Sequence, residues 1–247
     1  MAFAAASVLG IPIGTLIGEY AGWRSAFMAL AASSALVVGL LVAIPRLRPE
    51  RAIGVTVLAT QLRSGAVTSG LLVTLLLVAA QFATYTYISP TAQSLMGIES
   101  MFVGPLLLGY GIAGIVGNFT IGMRGSSNVA TTMVLISLAL AVLMIAIATI
   151  AQHQIAAVLF VLGWGFAYGG VSVSLQTWML RAAPEAAEAA TSLWVCVFNF
   201  SIALGALIGG AAVDHISLAS VHFVGAGLFM LAATVAALSR HVLRPRG

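Results

Sequence analysis

The chain has 247 residues, 61% of them hydrophobic and only 6% charged, against about 25% charged in a soluble domain. That balance excludes a water-soluble globular fold and points to lipid as the solvent. A net charge of +4, spread thinly along the chain, gives no basic surface for nucleic acid.

Crossing a hydrocarbon core of about 30 Å takes roughly 20 apolar helical residues. Eight stretches meet that length, at about 2–21, 23–44, 67–89, 101–123, 128–151, 155–180, 189–213 and 217–239. They are apolar on every face, without the alternation of a membrane β-strand. The expected fold is an all-α integral membrane bundle of eight spans. The first stretch lacks the basic leader of a signal peptide.

Along the stretch 8–24, which covers most of the first span, Gly10, Gly14, Gly18 and Gly22 recur at a spacing of four, with Pro12 among them. Such a bare stripe lets a second helix approach closely in lipid, and Pro12 removes a backbone bond and bends the helix. Between spans two and three lies the longest connection, with Arg46, Arg48, Arg51 and Arg63. Its piece "RAIGVTVLATQLR" puts Ile53, Val57 and Leu58 on one face of a short helix suited to the membrane surface. The connection divides the chain into residues 1–44, a loop at 45–66, and residues 67–247. Arg124, Arg181, Arg240, Arg244 and Arg246 continue the basic pattern in every second loop, whereas "GIES", "QHQ" and "DHIS" carry no Arg. The positive-inside rule places the basic loops and both termini in the cytoplasm; Arg24, directly after span one, is the exception.

Polar residues inside spans usually face inward, toward a cavity or a partner. Gln81 and Tyr85 share a helix face in the third span and either line a cavity or bond between helices. Thr84 is suited to bonding its own backbone, and Pro90 stops or kinks that helix. Asn118, beside Gly114, Gly117 and Gly122, reads as a helix–helix bonding residue. In the sixth span, "GWGFAYGGVSVSLQTW" sets Trp164 and Tyr168 among four glycines, a flexible segment with aromatic contacts. Gln176, Trp178 and Trp194 read as interfacial anchors. Asn199, central in the seventh span, is a further cavity candidate beside the small stripe Ser201, Gly205 and Gly209. Glu185 and Glu188 follow Pro184 where acids suit a helix start. No carboxylate sits in mid-span, the lone Cys196 reads as a packing residue, and the four histidines are dispersed. No catalytic constellation, metal spacing or cofactor fingerprint appears, so neither an enzyme nor a cofactor is expected.

Two spans, a basic connection and six more spans resemble the last eight helices of a major facilitator superfamily transporter. The opening "VLGIPIGTLIGEYAGWR" resembles the antiporter motif of the fifth helix, carried by Gly10, Pro12, Gly14 and Gly18. "GWRSAF", "FATYTYISP" at 82–90, and residues 175–215 resemble the drug and sugar efflux branch. "GNFTIGMRGSS" departs from the family's usual element: Arg124 is present without an accompanying Asp. The resemblance implies a proton-coupled exporter of small sugars or drugs in a bacterial inner membrane, lacking its first four helices. Its substrate cavity would draw on Gln81, Tyr85, Asn118, Trp164, Tyr168 and Asn199. Its partners would be the substrate, protons and the lipid bilayer, with self-association open to such a fragment. A non-transporting remnant with a packing or partner-binding role is the alternative. The family pattern also implies that the Ser201–Gly205–Gly209 stripe packs on a helix absent from this chain.

Overall fold

A computed structural model describes residues 17–18, 21–43, 54–125, 128–150 and 153–241. The chain divides into two compact units, residues 1–53 and 54–247.

In the first unit, helix α1 spans Trp23–Ala43. It starts after Gly22, whose φ of 82° lies in the left-handed region open to glycine. Gly22 therefore ends the first span as a turn residue rather than extending its glycine stripe. Gly18 is helical, while Gly10, Pro12 and Gly14 lie outside the described residues. The Arg24 guanidinium sits 4.6 Å over the Trp23 ring, a cation–π contact suited to a charge at a span end. Ser33 and Ser34 return their hydroxyls to Ala29 and Leu30, which removes the cost of bare hydroxyls in lipid.

The second unit begins with a short helix, α2, at Val55–Gln61. Six spans follow, built from α3 (Gly65–Tyr85), α5 (Ser100–Gly125), α6 (Val129–Ile150), α7 (Gln154–Gly169) with α8 (Val171–Ala182), α9 (Ala187–His215) and α10 (Ser220–Leu238). The short α4 (Ile88–Ser94) follows α3. Among the described residues seven helices, not eight, are long and apolar enough to cross a membrane. The eighth expected span, 2–21, falls almost wholly outside them.

Two spans differ from expectation for local reasons. The third was expected to reach residue 89, but α3 stops at Tyr85 and the chain turns through Thr86 and Tyr87. Pro90 sits in the first turn of α4, where its missing N–H costs nothing; in a continuous helix its ring would meet the Thr86 carbonyl. The sixth span is one 29-residue crossing, Gln154–Ala182, but it breaks at Gly170, which closes α7 and opens α8.

The six spans form two triplets, α3–α5–α6 and α7/α8–α9–α10. The dominant contacts run between triplets rather than within them. α3 packs on α9 and α10, α7 packs on α5 and α6, and α6 packs on α10. Exchanging first for first, second for second and third for third maps this pattern onto itself, as expected of two related three-helix repeats. Lipid supplies no hydrophobic drive between helices, so close backbone approach does the work. A Cβ at Gly205 or Gly209 of α9 would run into the carbonyls of Ala79 or Ala83 of α3. The stripe that includes Ser201 thus has its partner inside this unit, against the expectation of an absent helix. On the corresponding crossing, a Cβ at Gly117 would strike the Phe166 carbonyl, at Gly165 that of Tyr110, and at Gly169 that of Gly114.

Candidate functional site

At the α5–α7 crossing the glycines bring two backbones together and leave bulky neighbours to fill the space beside them. Tyr110, flanked by glycines on α5, and Trp164, flanked by glycines on α7, lie side by side with ring centroids 5.4 Å apart and planes at 76°. Each stands ten residues inside its helix, about 15 Å deep at 1.5 Å per residue, near the middle of a 30 Å core. Tyr85 of α3 closes the group, 5.2 Å from Tyr110 and 6.0 Å from Trp164. These edge-to-face and tilted geometries suit aromatic quadrupoles.

Gln81, one turn before Tyr85, joins the three helices. Its Nε2 donates to the Tyr110 hydroxyl at 2.8 Å, and its Oε1 accepts from the Trp164 indole N–H at 2.7 Å. Trp164 is 0% and Gln81 2% exposed. A primary amide in an apolar interior is costly unless both ends are bonded; here donor and acceptor are each used once, on different helices.

Tyr168, one turn beyond Trp164, packs against the same core with its hydroxyl buried and without a partner. Tyr85 is half-buried, and its hydroxyl, unlike that of Tyr168, is neither bonded nor enclosed. The other candidates lie apart. Asn118 is half-buried two turns along α5 from Tyr110 and makes no side-chain hydrogen bond among the described residues. Asn199 is exposed on α9 and donates to the Val195 carbonyl of its own helix at 2.8 Å.

Several sequence readings meet the structure directly. Thr84 bonds the Ala80 and Gln81 carbonyls of its own helix, as expected. Trp178 is no interfacial anchor: it is fully buried, and its indole donates to the Ala66 carbonyl at 2.9 Å. Gly70 makes room for it, since a Cβ there would stand 2.7 Å from the Trp178 ring. Trp194 is half-buried in a T-shaped pair with Phe198. Tyr110 escaped the sequence reading. The signal that could have found it is the one used for Tyr168, an aromatic ring between glycines in mid-span ("LGYGIAG").

Tightly interlocked apolar helices around a buried amide–aromatic group define a multi-pass helical membrane protein. The family model of the Major Facilitator Superfamily matches residues 1–193, and the chain belongs to that superfamily. It is a transporter, acting on small molecules in a membrane.

Proposed function

We propose that the chain serves proton-coupled export of a small sugar or amphipathic drug. The six spans of residues 54–247 would be the C-terminal half of the transporter, and residues 1–44 the last two helices of the N-terminal half. The chain then represents eight of twelve helices, and four more complete the cavity. The basic loops and both termini face the cytoplasm of a bacterial inner membrane. The observation that carries this reading is the polar and aromatic group of Gln81, Tyr85, Tyr110 and Trp164 at mid-depth, where two related triplets meet. Superfamily transporters bind substrate near the midplane and rock two halves about that site. Sequence resemblance supports the efflux branch through Gly10, Pro12, Gly14 and Gly18. The described spans place no carboxylate at mid-depth, so the proton-carrying group is assigned to the four further helices.

Two measurements test this. With Cys196 replaced, a cysteine at Ser126 should resist impermeant thiol reagents in intact cells; ready labelling from outside reverses the orientation. Efflux of ethidium or of arabinose should appear when the chain is joined to four preceding helices and should vanish when the proton gradient is collapsed. Residues 1–247 alone should show none. Gradient-independent efflux, or equal efflux by the eight-helix chain alone, refutes the reading.

A further inference from the structure

Resting on the transporter reading, we propose that Gln81 is a positioning residue and that Tyr85 is the group that meets the transported molecule. Three facts lead there. Both polar ends of Gln81 are already committed, to Tyr110 on α5 and Trp164 on α7. The side chain is almost wholly enclosed. Tyr85 packs on both rings that Gln81 holds, and its hydroxyl is the polar group of this cluster left both accessible and unbonded.

A ligand contacting Gln81 directly would have to reach a side chain only 2% exposed and disturb the two hydrogen bonds that it makes in an apolar interior. A ligand contacting Tyr85 breaks nothing. What Tyr85 offers is the exposed part of a ring with one hydroxyl, a surface for a planar apolar molecule bearing few polar groups. At this cluster a polyol would find a single accessible unbonded partner and leave its neighbouring hydroxyls without replacements for water. The ligand class is therefore planar and amphipathic, with cations favoured by the exposed ring of Tyr85. Gln81 fixes the angle at which that ring is presented, by pinning the two aromatic side chains behind it.

The test uses the full chain in lipid nanodiscs, with ethidium and arabinose as probes. The protein is labelled with 5-fluorotryptophan; its four tryptophans give four fluorine resonances, and Trp164→Phe identifies the line of Trp164. Without ligand, Gln81→Leu should shift and broaden that line. Gln81→Glu should leave it narrow, since a carboxyl group accepts from the indole and, ionised or protonated, still bonds the Tyr110 hydroxyl. Gln81→Leu should weaken ethidium binding roughly five- to tenfold, with Gln81→Glu restoring most of it. Tyr85→Leu should weaken it more than roughly tenfold while leaving the Trp164 line sharp. Arabinose should move neither the line nor bound ethidium.

Equal loss of binding in Gln81→Glu and Gln81→Leu overturns the assignment, because the amide itself then touches the ligand. So does unchanged binding in Tyr85→Leu, an unmoved Trp164 line in Gln81→Leu, or arabinose binding in place of ethidium. Proton-driven export without any ethidium binding sinks this inference and leaves the transporter reading standing. Ethidium binding as described, with no export by the twelve-helix form, does the reverse.

Discussion

The crossing of α5 with α7 and the crossing of α3 with α9 occupy corresponding places in the two triplets, yet they close differently. At α3–α9 the glycines stand on one side only: Gly205 and Gly209 meet the backbone at Ala79 and Ala83. At α5–α7 they stand on both sides and alternate, Gly165 against Tyr110, Gly169 against Gly114, Gly117 against Phe166. The polar groups differ in the same sense. Beside α5–α7, Gln81 bonds across helices. On α9, Asn199 and Ser201 bond only their own backbone. One crossing is a packing seam; the other is a packing seam with a cross-linked polar centre. Corresponding helix crossings can thus share a backbone contact while only one of them carries a polar group bonded across helices.

Single added methyl groups test the two crossings most strongly. Gly165→Ala and Gly117→Ala should each cost about 1–3 kcal/mol, because the obstruction is a carbonyl that cannot swing aside. Gly114→Ala, on the same crossing, should cost well under about 1 kcal/mol, since its Cβ would lie 3.4 Å from the Gly165 oxygen, an ordinary contact. Gly205→Ala should match the first two, and Ala79→Gly should fail to rescue it, because the clash is with backbone and not with the Ala79 methyl. Thermal unfolding in detergent reads all of these. Equal losses for Gly114→Ala and Gly165→Ala would mean that backbone approach is not what the glycines provide.

The polar bonds carry a smaller effect. Trp178→Phe keeps the ring beside Gly70 but removes its bond to the Ala66 carbonyl; the expected loss is about 1 kcal/mol, seen as a lower unfolding midpoint. An unchanged midpoint would reduce that bond to a passenger of packing. Smallest of all is Asn199→Leu. Its amide faces outward and bonds its own helix, so stability should change by no more than about 0.5 kcal/mol under the same thermal melt. A loss of more than about 1 kcal/mol there would mean that α9 carries a polar centre of its own.

The sequence makes the spans legible because apolar length is a local property, and the backbone-bonded Thr84 is legible for the same reason. Its hydroxyl finds a partner within one turn. The glycine stripe on α9 could be seen as a contact face, but not whose face it meets, since Gly205 and Gly209 meet Ala79 and Ala83, on a helix far earlier in the chain. Gln81 showed the matching limit: an amide in mid-span demands partners, but the sequence does not say that they are Tyr110 and Trp164. Trp178 misled because a tryptophan near the end of an apolar run is ordinarily interfacial. Only the space left by Gly70 on another helix turns it into a buried residue. The break in the sixth span was hidden for a similar reason: its two adjacent glycines looked like flexibility, while the crossing uses them for contact.

The exchange of contacts between triplets has a consequence for how the protein is made. α3 ends at residue 85 and its main partner α9 begins at residue 187. At roughly 5–20 residues per second, the ribosome needs on the order of 5–20 seconds to deliver that partner. Throughout this wait the first span of the unit, α3, sits in the bilayer without α9, and the amide of Gln81 stays unpaired until α5 and α7 arrive. Thr74 and Thr84, already bonded to carbonyls of their own helix, cost nothing in that interval. Gln81 is the amide of α3 whose hydrogen-bond partners arrive only with later helices, which makes nascent α3 a natural client for whatever shelters polar helices at the insertion site.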